Sequence, residues 1–395
     1  MHRIAVTLTL ALLAVTTARL HADETAELGA PLTELHVIDP LPDADGAQLA
    51  DIDGDGRLDI AAAASKRGEV VWYRQGEDMR TWTRHAISTG HRKLEGIDAA
   101  DFNGDGRVDV IALDQVAGTV ILFTPRGDDP TGEWESVVLA KGRHGVQDSM
   151  TADLDGDGRP ELIYAWEGRR GDQGGVHRLK LTGEDVTDAD AWDDRVLVQH
   201  PGAWWLGSSG RVDLADDGTA DDIVYSARRH RNRAPQTGVF WLEAPGDPDG
   251  TWTRHTIADD VGAVLHVDTG DFNGDGDARD VLANTHRFES AHVFTYPNWE
   301  ATELPLPDSG TYNVRRAPFA VGDRDAILVA LAKRGLYLLA WDGQTYASTR
   351  LLPIDYRHPL DDRILYADLD GDGVAEAIIP DSGGNRMMWL KFMPE

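Results

Sequence analysis

No cysteine occurs among the 395 residues, which excludes disulfide scaffolding, thiolate metal sites, a cysteine nucleophile and a lipid anchor on an N-terminal cysteine. Positive charge is scarce. Lysine and arginine number 38 against 68 aspartates and glutamates, a formal net charge of −30, which argues against general affinity for nucleic acid or anionic membranes. Long hydrophobic runs are missing too. The apolar stretch Ile4–Val15 is too short to span a bilayer; it follows His2 and Arg3 and precedes small residues at Ala18 and Ala22, the order of an export segment. The expectation is a cleaved signal peptide over 1–22, a short linker over 23–31, one domain over 32–395 and a secreted or periplasmic location. No G-x-S-x-G, H-E-x-x-H or P-loop occurs, so the common hydrolase and nucleotide-binding signatures are absent.

What the chain does have is self-similarity. Asp51–Asp59 (DIDGDGRLD), Asp101–Asp109 (DFNGDGRVD), Asp153–Glu161 (DLDGDGRPE) and Asp368–Glu376 (DLDGDGVAE) share one pattern. Degenerate copies stand at Asp213–Asp221 (DLADDGTAD) and, one residue longer, at Asp271–Asp280 (DFNGDGDARD). A further unit around Val321–Leu331 keeps the apolar run without the acidic loop. Successive starts are 50, 52, 60, 58, 50 and 47 residues apart, an array of seven units.

After each loop come short runs rich in β-branched and aromatic residues, bounded by Gly, Asp or Pro, which read as strands. Examples are Asp59–Ala64, Val70–Tyr73 and Trp82–Ile87. Four strands in about fifty residues is the arithmetic of a propeller blade. The last unit ends one strand short, and Leu32–Ile38 (LTELHVI) resembles the outer runs WTRHAI and WTRHTI. The N-terminal strand is therefore expected to complete the last blade and hide its open edges. The predicted fold is all-β: a seven-bladed β-propeller of four-stranded antiparallel blades, closed by an N-terminal strand.

In D-x-D/N-G-D-G-x-x-D/E, side-chain oxygens fall at positions one, three, five and nine. Carboxylates so crowded repel one another unless a cation sits between them, and hard oxygen donors on a flexible loop suit Ca²⁺. EF-hands and dockerins use similar loops but flank them with helices, whereas strand-like runs flank these.

The loops and their flanking strands resemble the FG-GAP/VCBS repeats of integrin-α-like calcium-binding propellers, over roughly Leu32 to the C-terminus. That resemblance implies Ca²⁺ ligands at Asp51, Asp53, Asp55 and Asp59; Asp101, Asn103, Asp105 and Asp109; Asp153, Asp155, Asp157 and Glu161; and Asp368, Asp370, Asp372 and Glu376. The degenerate fourth and fifth loops add Asp213, Asp217 and Asp221, and Asp271, Asn273, Asp275 and Asp280. Four complete sites and up to six in all are expected, with none in the sixth unit.

Antiparallel order puts the acidic loops on one face of the disc and the loops between second and third strands on the other. Arginine is dense in the latter, and Trp166, Trp204 and Trp205 fall outside the repeat positions of the other tryptophans. Guanidinium groups beside aromatic rings suit acidic sugars. The candidate ligand-binding residues are Trp166, Arg169, Trp204, Trp205, Arg228, Arg229, His230 and Arg231. His85, His255 and His36 share a repeat position and read as packing residues; His91, His144, His230, His266, His286 and His358 fall near the same face. The expected function is a binding module for a glycan or extracellular protein, acting as a monomer without membrane insertion or nucleic acid. The alternative is a lyase or dehydratase acting on an acidic sugar, with His as base.

Overall fold

The computed structural model describes residues 31–393 except 169–173, 229–236, 260, 286–289, 356–359 and 361–362. The expected signal peptide lies outside the described residues, as do Arg169, Arg229, His230 and Arg231.

Among the described residues, 28 strands form seven antiparallel sheets of four. Blade 1 holds Ala44–Ala50, Asp59–Ala64, Glu69–Gln75 and Trp82–Thr89, innermost to outermost. The next five blades repeat this order, their inner strands being Leu94–Ala100, Val146–Ala152, Ala203–Val212, Val264–Gly270 and Thr311–Val321. In blade 7, Leu365–Ala367, Glu376–Asp381 and Arg386–Phe392 are completed by Leu32–Asp39, so the first strand of the chain is the outer strand of the last sheet. Thr33 Oγ1 donates to the Lys391 carbonyl across that seam (3.2 Å).

Second strands are buried throughout in six of the blades, as in Asp59–Ala64 and Asp280–Thr285. Both faces of such a strand are covered, which is why its sequence is a continuous apolar run rather than an alternating one. The apolar contacts lie between blades: Ala61, Val70 and Trp72 of blade 1 pack with Val110, Ala112 and Phe123 of blade 2. Outer tryptophans anchor the loops before them, Trp82 Nε1 donating to the Met79 carbonyl (2.7 Å) and Trp134 Nε1 to that of Pro130 (2.9 Å). His85 stacks on Trp72 and His255 on Trp241, as paired cross-strand neighbours. The packing role expected of these histidines follows from that pairing.

The inner strands are tied together by buried polar groups. Asp98 of blade 2 accepts hydrogen bonds from Gln48 Nε2 of blade 1 (3.1 Å) and from Ser149 Oγ of blade 3. Arg363, just before the inner strand of blade 7, donates from Nη2 to Asp148 Oδ1 of blade 3 (2.8 Å) and to the Ser149 carbonyl. Blades 3 and 7 are not neighbours in the ring, so this side chain crosses its axis. Burial pushes Asp98 up to about 6, with the Arg363 charge and the Ser149 hydroxyl opposing it.

Candidate metal loops and the opposite face

Each acidic loop joins the first and second strands of its blade, and one conformation recurs. Asp51 accepts the Asp55 N–H at Oδ1 (3.0 Å) and the Gly56 N–H at Oδ2 (2.9 Å); Asp101, Asp153, Asp271 and Asp368 wrap their loops in the same way. The turn needs two residues at positive φ, Gly54 (72°) and Gly56 (89°) in the first loop, which glycine adopts without steric cost. In the fourth loop Asp216 takes the first of these conformations (φ 59°). Asp213 still accepts the Asp217 and Gly218 N–H groups (3.1 Å each), so the loop keeps its shape although Ala215 supplies no side-chain oxygen.

The closing carboxylate begins the second strand. Asp59 accepts the Ile52 N–H (3.0 Å) and the Gln75 N–H (2.9 Å), joining the loop to the third strand. In the fourth loop that work falls to Asp222, not Asp221 as the nine-residue spacing implied: Asp222 accepts the Leu214 N–H (2.7 Å) and the Ala244 N–H (2.9 Å). The fourth loop therefore carries the same one-residue insertion as the fifth, where Asp280 accepts from Phe272 and Tyr296. The signal was present in the sequence, since Asp222 directly precedes the apolar run Ile223–Tyr225 as Asp59 precedes Ile60.

Three loops gather carboxylate oxygens within 4.8 Å of one another: Asp51, Asp53 and Asp59; Asp153, Asp155 and Glu161; Asp368, Asp370 and Glu376. Glu161 and Glu376 each spend Oε2 on a loop N–H, that of Leu154 or Leu369 (2.8 Å); the buried Oε1 of Glu161 has no hydrogen-bond donor, and that of Glu376 has only the Lys391 ammonium (3.2 Å). Asp109 Oδ2 is likewise buried without a donor, on a residue only 2% exposed. Burial pushes Asp59 up to about 6, Asp109 to about 7 and Asp280 to about 6, against the backbone N–H groups and the Thr124 hydroxyl that favour ionisation. Desolvated carboxylates whose oxygens lack donors fit a hard divalent cation coordinated entirely by oxygen. In blade 6 a turn at Gly322 (φ 71°) joins Thr311–Val321 to Arg324–Leu331 directly, leaving no acidic loop.

The opposite face differs from the expected aromatic platform. Trp166 ends the second strand of blade 3 and is 5% exposed; its indole donates to the His144 carbonyl (2.9 Å), and the Arg143 guanidinium lies 4.9 Å from its ring. Trp204 and Trp205 lie on the inner strand of blade 4, 5% and 6% exposed, and pack with Leu265. All three are buried, Trp166 in one apolar cluster and Trp204 and Trp205 in another. Arg228 lies over the Trp204 ring, and Trp205 is tilted against His266 (4.9 Å). His91 contacts Ser88 Oγ and His144 contacts the Val116 carbonyl. His230, His286 and His358 lie outside the described residues, and no metal-type grouping among the described residues contains a histidine.

Seven four-stranded sheets in a closed ring, with acidic loops joining first and second strands, define a seven-bladed β-propeller. The family model for the FG-GAP-like repeat matches residues 51–112 and 102–164, so this propeller carries FG-GAP-like repeats, a fold that suggests a ligand-binding module. No curated protein matches the chain. Among solved structures, the chain is similar to BBS1N in complex with ARL6DN (11% identity, TM-score 0.52, covering 91% of this chain and 98% of that one). It is also similar to YCF48 from Cyanidioschyzon merolae (12%, TM-score 0.54, 91% and 99%). Raptor from Chaetomium thermophilum gives 10% identity and a TM-score of 0.55, with 95% of this chain but 30% of that one covered. At these identities the likeness is one of fold alone. No helix among the described residues is long and apolar enough to cross a membrane.

Proposed function

We propose that the protein is an exported, calcium-loaded propeller that binds a glycan or an extracellular protein on the face opposite its acidic loops. The observation that carries this reading is the recurrence of crowded carboxylate oxygens on one side of the ring, the buried ones of Asp109 and Glu161 without a hydrogen-bond donor and those of Asp368, Asp370 and Glu376 gathered within 4.8 Å. An ion there would join loop, second strand and third strand through bonds that exist only in the folded chain. The metal then serves architecture, which leaves recognition to the other side. Arg228 over Trp204 offers a guanidinium backed by an aromatic ring, chemistry suited to a carboxylate or sulfate on a sugar or a protein. Arg229, His230 and Arg231, which follow Arg228 directly in the sequence, would add to that charge. Placement outside the cytoplasm rests on the apolar N-terminal segment and on the millimolar calcium available there to weak all-oxygen sites.

The test has two arms. Calcium titration calorimetry is expected to show at least four sites, and an isotherm without binding heat would remove the metal from the account. Polygalacturonate and heparin serve as acidic-glycan probes. Arg228→Ala, chosen because it leaves both tryptophans in place, is expected to weaken retention of one of them about tenfold, as loss of one charge-assisted pair implies. Retention unchanged by this substitution, or no retention at all, would overturn the proposed binding face.

A further inference from the structure

The residue facing each closing carboxylate across the ladder, near the end of the third strand, varies in step with the third position of the acidic loop. Continued one position past the last ladder pair, strand register places Arg74 opposite Asp59, Thr124 opposite Asp109, Lys180 opposite Glu161, Glu243 opposite Asp222, Thr295 opposite Asp280 and Lys391 opposite Glu376. Where the third loop position is aspartate, at Asp53, Asp155 and Asp370, the facing residue is basic. Where it is asparagine, at Asn103 and Asn273, the facing residue is threonine. Four acids and one base carry a formal charge of −3, and so do three acids with an asparagine and a threonine. Counted over positions one, three, five and the closing carboxylate together with the facing residue, all five loops with a full set of oxygen donors hold the same charge; Arg57, Arg107 and Arg159, and the Asp277–Arg279 pair of the fifth loop, stand outside that count. The fourth, with Ala215 and Glu243, departs from the rule in both members of the pair.

The bases make direct contact. Arg74 pairs with Asp53 and lies 3.5 Å from Asp55. Lys180 pairs with Asp155 and lies 3.5 Å from Asp157 and 3.6 Å from Glu161. The Lys391 ammonium reaches Asp370, Asp372 (2.6 Å) and the otherwise donorless Oε1 of Glu376 (3.2 Å). In the second loop the third strand brings no base: Arg107 of the loop itself pairs with Asp105 (2.7 Å), Asn103 Nδ2 donates to Asp105 Oδ2 (3.1 Å), and the buried Asp109 Oδ2 has no donor.

We propose that Arg74, Lys180 and Lys391 are resident counter-cations that share their loops with the metal. They divide the loops into two classes, an inference that rests on the calcium reading above for its metal half. The first, third and seventh loops carry their own positive charge and hold together when calcium is low. The second and fifth lack a base at the facing position, Arg107 pairing instead with Asp105 and Arg279 with Asp277, so their closing carboxylates Asp109 and Asp280 depend on the ion. The base also tunes affinity, because in a loop of −4 an incoming divalent cation meets one uncompensated charge more than in a loop of −3. At separations near 4 Å with partial screening, one charge is worth roughly a tenfold change in affinity or more.

Lys391→Thr, Asp370→Asn and the double variant, which recreates the pair of the second loop, form a cycle read in two ways. In excess EDTA, Lys391→Thr is expected to lower the melting temperature by leaving Glu376 Oε1 and its neighbours without a cation. With calcium, calorimetry is expected to show one site tightened about tenfold in Lys391→Thr and one weakened in Asp370→Asn. The double variant is expected to return the calcium affinity to near the parent value. The Lys180→Thr and Asp155→Asn set repeats the cycle in blade 3, so a folding defect peculiar to one blade does not decide the outcome. Equal melting of parent and Lys391→Thr in EDTA, or single and double variants binding calcium alike, overturns the proposal. If EDTA melting shifts as stated while no form binds calcium, the counter-cation role stands and the calcium reading alone fails.

Discussion

His36 stacks on Trp389 across the seam of the ring, centroids 5.2 Å apart and planes 29° from parallel, so side chains from the two ends of the chain share one cross-strand pair. The same contact joins His85 to Trp72 and His255 to Trp241 within blades 1 and 4. At the seam it tethers a strand that no hairpin connects to its sheet. His36→Ala is expected to destabilise the protein by about 1 kcal/mol, the scale of an aromatic pair. His255→Ala removes the equivalent stack inside a covalently continuous blade. Unfolding rates should separate the two: closure of the seam after the folding barrier predicts that His36→Ala mainly speeds unfolding, and slowed refolding would place the seam at the barrier instead.

Calcium removal is expected to lower the melting temperature by several degrees at least. Each site held at a hundredfold excess over its dissociation constant stabilises the folded state by about 2.7 kcal/mol. Differential scanning in EDTA and in millimolar calcium measures the difference, and coincident transitions would leave the acidic loops without a structural ion.

The pH response should change sign with metal. Without calcium, burial holds Asp59 near 6, Asp109 near 7 and Asp280 near 6, all above their value in an unfolded chain. The folded state then keeps protons that the unfolded state has released, so metal-free stability falls as pH rises from about 4 to about 7. Calcium requires ionised carboxylates, so binding expels those protons and loaded stability rises over the same range. Melting curves at several pH values in EDTA and in calcium should therefore diverge as pH increases. Parallel profiles would contradict the assignment.

Arg363 carries more than its single position suggests. Arg363→Met removes the cation that faces Asp148 and Asp98 across the axis and is expected to cost about 3–5 kcal/mol, the usual penalty for orphaning a buried charge. Adding Asp148→Asn should recover part of that loss. Urea denaturation of both variants measures the coupling, and a double variant no better than the single one would show that Asp148 is not the group left exposed to the penalty.

The parts of this molecule set by local chemistry could be read in advance. Each acidic loop carries its own ligand-type spacing and glycines, and the kinship of LTELHVI to WTRHAI arises because His36 and His85 meet the same tryptophan partner in their sheets. Position by position the reading slipped where spacing and structure part: Asp221 fits the nine-residue pattern, yet Asp222 leads the buried strand and makes the bonds. Trp166, Trp204 and Trp205 stood out because they break the repeat, but breaking a repeat does not imply exposure, and all three fill spaces within the ring. Arg363 gave no signal at all, since its partner lies 215 residues away and only closure of the circle brings them together. The bases at Lys180 and Lys391 were visible as letters but acquire meaning only once strand register sets them opposite Glu161 and Glu376.

The tie between Leu32–Asp39 and Arg386–Phe392 has a practical corollary. A fluorophore attached ahead of residue 32 and another after residue 392 would hang from the same sector of the rim, and their energy transfer would track whether that sector is zipped. A pair of dyes so placed would report on this one joint separately from the rest of the disc, turning the architecture into its own strain gauge.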